Sequence, residues 1–149
     1  MTNLFSSGPR VAVKHLVARG ARVGRPQLAC LIAIAAGQQL LFAYMPGGIS
    51  REAALQASGV LLIASFLALA WAGGSLVRRA GFRTVGAMVA GALFNAGAQA
   101  VGLAVSAVAG NPPDLQSTVA SVFVGAALGS VFAGVGAVAA RINGLHWLK

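Results

Sequence analysis

Four amide side chains, Gln38, Gln39, Asn95 and Gln99, are the groups best suited to do chemistry inside this 149-residue chain. Each lies within a long uncharged stretch, and Asn95 and Gln99 are four residues apart, which puts them on one helical face. All four are expected to meet at similar depth. An amide donates and accepts hydrogen bonds, so such a group can do two things in an apolar setting. It can clamp helices together, or it can line a path for water or a small solute. The clamp is the expected role, because uncharged amides are weak markers of transport. Gln56, Ser58 and Ser65 would extend either arrangement.

The remaining reactive residues argue against catalysis. His15 and His146 lie in basic flanks, so no imidazole is available at depth to ligate a haem. Asp114 follows Pro112-Pro113 at the start of an apolar stretch, the position of a helix N-cap. Glu52 also stands at a helix start, where a negative charge complements the macrodipole. With both acids assigned structural roles, no general acid or base remains. No Ser-His-Asp set, HExxH or GxxxxGK[ST] is present. The single cysteine, Cys30, excludes an intrachain disulfide and a multi-cysteine metal site, and it reads as a small packed thiol among Leu28, Ala29, Leu31 and Ile32. No enzyme, metal or cofactor is expected.

The elements that must carry these groups follow from composition. Hydrophobic residues make up 58% of the chain and charged residues 9%, against about 25% charged in a soluble domain. So few charges cannot coat a water-facing surface, and a bilayer is the expected solvent. Four stretches, residues 28–45, 53–77, 84–109 and 115–140, contain no Asp, Glu, Lys, Arg or His. Each is near the roughly 20 residues that cross a hydrocarbon core as helix. They lack the period-two alternation of barrel strands. Pro46-Gly47-Gly48, Arg78-Arg79 and Gly110-Asn111-Pro112-Pro113 end the first three, and Arg141 ends the fourth. The expected fold is all-α: a polytopic, antiparallel bundle of four transmembrane helices built from two hairpins, with sequence neighbours adjacent in space.

The net charge of +9 would raise the question of nucleic acid in a soluble protein. Here the basic residues lie outside the apolar stretches and carry no nucleic-acid-binding motif, so they are read as an orientation signal. Arg10, Lys14, Arg19, Arg22 and Arg25 precede the first span; Arg78, Arg79 and Arg83 follow the second; Arg141 and Lys149 follow the fourth. Ten therefore share one side, and the other receives only Arg51 with both acids. This predicts both termini in the cytoplasm of a bacterial cell, or in the matrix if the membrane is the mitochondrial inner one. Arg10, Lys14, Arg19, Arg78 and Arg79 are the expected headgroup contacts. Tyr44, Trp71 and Trp147 fit the interfacial aromatic belt. Residues 1–26 are expected to form a basic segment separate from the transmembrane domain of residues 27–149. They read as a loose positive tail, a short interfacial helix or a presequence.

Helix association in lipid depends on close backbone approach. In the fourth span Ser117, Ser121, Gly125, Gly129, Ala133 and Ala137 recur every four residues, and Phe123, Leu128, Val131, Phe132 and Val135 lie mostly off this stripe. The third span carries Ala98, Gly102, Ser106 and Gly110. The two stripes are expected to face each other, or one of them to form a homodimer. An offset of 63 residues also pairs Gly47 with Gly110, Gly73 with Gly136 and Arg78 with Arg141, which suggests a duplicated hairpin. The expected function is that of a non-catalytic accessory or scaffold subunit of a membrane complex, in contact with lipid and other membrane chains. The alternative is a small homo-oligomeric transporter or channel lined by the amides.

Overall fold

A computed structural model describes the backbone of residues 9–43 and 50–146, and the side chains of most residues between 14 and 143. Four helices account for nearly all of it: α1 (Pro9–Ala43), α2 (Arg51–Ala80), α3 (Thr84–Val108) and α4 (Leu115–His146). Among the described residues, α2, α3 and α4 are long and apolar enough to cross a membrane. The Pro46-Gly47-Gly48 break, Tyr44, Trp147, Lys149 and the side chains of Arg10 and His146 lie outside the described residues.

The ends are built by local chemistry. Ser50 accepts from the backbone N–H of Ala53 at 3.2 Å and caps α2. At the other end of α2, Gly81 adopts φ 75°, which a side chain would disfavour, and the N–H of Phe82 reaches the carbonyl of Leu76 at 3.1 Å. Asp114 caps α4, accepting from the Ser117 N–H at 2.8 Å and its hydroxyl at 2.6 Å. At the end of α3 the Ser106 hydroxyl donates to the carbonyl of Asn111 at 2.8 Å.

α1 runs unbroken through Pro26, so the expected division between residues 26 and 27 falls inside one helix. Proline removes one backbone donor from the ladder. Gln27 is 1% exposed. Its amide nitrogen, turned toward the preceding turn, donates to the carbonyl of Val23 at 2.7 Å and of Gly24 at 3.3 Å.

The expected adjacency of sequence neighbours holds fully for α1–α2 and α3–α4 and only weakly for α2–α3. Around the bundle the order is α1, α2, α4, α3; the sequential pair α2 and α3 shares a smaller contact than any side of that ring. α1–α2 and α3–α4 are antiparallel hairpins, whereas α1–α3 and α2–α4 are parallel neighbours. A three-residue link constrains only the ends of α2 and α3. The flanks of these helices are instead taken by the partners whose backbones can come closest.

The core is made of small residues. Ala54, Ala68, Ala72, Ala87, Ala98, Ala133 and Ala137 are buried, with Leu31, Leu69 and Leu76 the largest buried apolar side chains. Bulky apolar residues face outward: Val60, Ile63, Leu67 and Trp71 on α2, Val85, Val89 and Leu93 on α3, Val131, Val135 and Ile142 on α4. Small inside and large outside reverses the economy of a water-soluble bundle, and suits helices whose outer faces meet lipid.

Candidate functional site

The closest approaches in the molecule converge on α4. A Cβ built on Gly129 would strike the carbonyl of Gly91 and lie 2.9 Å from the Asn95 Cβ. One built on Gly125 would lie 2.8 Å from the Gln99 Cγ. One on Gly91 would meet Gly129 and Ala133. Gly125, Gly129 and Ala133 therefore face Gly91, Asn95 and Gln99, a row with the same four-residue spacing. Ser121, one turn earlier on α4, is half-buried.

The other small-residue row of α3 goes elsewhere. A Cβ on Gly102 would lie 3.1 Å from the carbonyl oxygen of Ala35, so Gly102 faces α1. Ala98 is buried in the same cluster as Leu31 and Ala35. Ser106 closes the end of α3. The expected pairing of Ala98, Gly102 and Ser106 with the α4 row is thus replaced by two separate seams. A four-residue repeat drifts around a 3.6-residue helix, so a helix rich in Gly and Ala offers several small faces.

A third seam joins α2 to α4, and the expected packing residues include only one of its members, Ala133. A Cβ on Gly73 would strike the backbone of Ala133, and one on Gly136 would strike that of Ala70. Gly73 and Gly136 are 63 residues apart, as are Ala70 and Ala133. The contact is therefore reciprocal under the offset found in the sequence, with each glycine against the alanine that precedes the other by three. Gly74 adds a nearby contact, 3.2 Å from a built Cβ to the Gly136 oxygen. Phe66 and Phe132 stack on this seam with ring centroids 4.0 Å apart. The available signal was the Gly73–Gly136 match itself.

The amides divide. Asn95, 5% exposed, donates through Nδ2 to the carbonyl of Gly125 at 2.9 Å. Gln99 packs beside it on Gly125. Gln38 and Gln39 are half-buried on α1. Since Ala35 lies level with Gly102, those two sit about two turns of helix from Gln99 in depth and about three from Asn95. The four do not converge. Of the cavities on the sides of the bundle, the two formed by described residues are lined by none of the four amides.

Of the basic residues, Lys14, Arg19, Arg78, Arg79, Arg83 and Arg141 are exposed toward one end of the bundle, and Arg22 and Arg25 are exposed further along α1, level with the first half of α3. Glu52 and Asp114 occupy the other end with Arg51. Hydrogen bonds from the Ser117 hydroxyl and N–H hold the Asp114 carboxyl below its usual range. Cys30 is exposed on α1, in place of the packed position expected for it. No group of three or more His, Cys, Asp or Glu that could hold a metal occurs among the described residues. No family model matches the chain, and neither the curated proteins nor the solved structures give a significant match.

Proposed function

We propose that this chain is a non-catalytic integral membrane scaffold, an accessory subunit whose role is to present helical surfaces to other membrane chains. The supporting observation is the engagement of Asn95 with the backbone of Gly125. Of Gln38, Gln39, Asn95 and Gln99, the best buried is thus committed to packing, which leaves it little freedom to bind a passing solute. Bulky apolar faces on α2, α3 and α4 remain for lipid and partner helices. In this reading α1 crosses as the fourth span. Both termini lie in the cytoplasm of a bacterial cell, or in the matrix of a mitochondrion, by the sidedness of the basic residues.

Purification of the full chain from its native membrane in mild detergent tests the reading. A stoichiometric set of co-purifying membrane chains is expected. A lone homo-oligomer that passes solutes in liposomes, with flux abolished by Asn95→Leu and Gln99→Leu while assembly survives, would overturn it in favour of the transporter.

A further inference from the structure

At the basic end, the flanks of α1, α2 and α3 enclose an apolar cavity of about 430 Å³, within the range of small-ligand sites. We propose that it holds one acyl chain of an anionic phospholipid, whose phosphate rests on the surrounding arginines. The inference rests on the membrane residence argued above but is independent of any protein partner.

The cavity is a product of specific residues. Gly20 and Gly24 on α1 have no side chains, and the rings of Phe82 and Phe94 lie against them; a Cβ on Gly20 would be 2.6 Å from the Phe82 Cζ. Phe82 and Phe94 thus mark two ends of the space along α3. Between them Gly86 and Ala90 keep the surface of α3 low, and Leu76 of α2 closes the back. The lining is apolar almost throughout, unsuited to a polar solute. Val17, Val89 and Leu93 at its rim are exposed, with Leu93 68% so, and the opening therefore faces the hydrocarbon.

Charge selects the kind of lipid. Arg19 and Arg22 flank the lining residues Gly20 and Ala21 in the chain. Arg79 follows Leu76 by one turn, and Arg83 follows Phe82 directly. All four are exposed, and both described carboxylates are at the opposite end of the bundle. Guanidinium groups bind phosphate through paired hydrogen bonds, and basic sites between helices at the cytoplasmic face suit anionic headgroups. A neutral lipid would fill the cavity but leave these cations without a counter-charge.

Native mass spectrometry of the detergent-solubilised full chain, with equimolar phosphatidylglycerol and phosphatidylcholine of identical acyl chains, tests the site. One phosphatidylglycerol adduct is expected, preferred by about tenfold. Arg79→Gln with Arg83→Gln should bring the two lipids near parity. Ala21→Phe and, separately, Val89→Phe should reduce binding of both, each checked for an unchanged melting temperature. Equal binding of the two lipids by the native chain, preference that survives the arginine changes, or full binding by either folded filler variant would overturn the proposal. A partner helix seated in the cavity would displace the adduct and would overturn it too. Release of the chain by alkaline carbonate extraction would instead remove the membrane reading on which it stands.

Discussion

Two polar residues carry most of the local specificity, for opposite reasons. Asn95 is buried among helices and works through one hydrogen bond to the Gly125 carbonyl. Interhelical bonds of this kind contribute about 0.6–2 kcal/mol in membranes, and Asn95→Ala should lower unfolding stability in detergent by roughly that amount. Asp114 is exposed and works at a helix start. Its carboxyl is held below the usual range by Ser117, so the folded chain releases that proton more readily than the unfolded one. The resulting stabilisation is complete above about pH 4 and is lost as the pH falls through the lowered value. Asp114→Asn keeps a capping oxygen without the titration, so its acid unfolding profile should lack this component. Equal acid sensitivity of the two proteins, followed by circular dichroism, would refute the assignment.

Glycines decide the packing of the elements, and their environments differ sharply. Gly73, Gly129 and Gly136 each face another helix's backbone, which cannot move aside as a flexible side chain can. Gly59 and Gly97 have no neighbour within 4 Å of a built Cβ. Gly73→Leu and Gly136→Leu should therefore each destabilise the bundle by at least the 1–3 kcal/mol typical of overpacking. Because the seam is reciprocal, the two losses should be similar. Gly59→Leu and Gly97→Leu should remain within about 0.5 kcal/mol of the parent. Thermal aggregation in detergent, read by fluorescence-detected size exclusion, checks all four. The Ala98 and Gly102 row was expected to meet α4 and meets α1, because spacing identifies small faces without saying which neighbour reaches each first.

At the scale of the whole molecule, sidedness and helix order can be tested together. In a Cys30→Ala background, Ser50→Cys and Asn111→Cys should react with a membrane-impermeant maleimide in intact cells. Lys14→Cys and Arg141→Cys should react only after the membrane is opened. Labelling of both ends from outside would remove the four-span reading. Parallel packing of α2 on α4 gives the bundle its ring order, and it draws on residues from both hairpins.

The apolar lengths, the turn residues between them and the ten-to-one distribution of basic side chains are properties of the linear sequence. They were sufficient for the all-α class, for the bounds of α2 and α3 and the start of α4 within a few residues, and for the two acids at helix starts. Hydrophobic length and capping act over a few residues, so they can be read from sequence. The unbroken α1 could not, because a proline inside an apolar pattern ordinarily marks a helix boundary and here lies within one helix. Nor could the seams. With alanine and glycine on every side, each helix has several nearly equivalent small faces. The choice among them follows from which pairs of backbones close together without collision, and Gly73 against Ala133 and Gly136 against Ala70 meet that condition only once all four helices are packed.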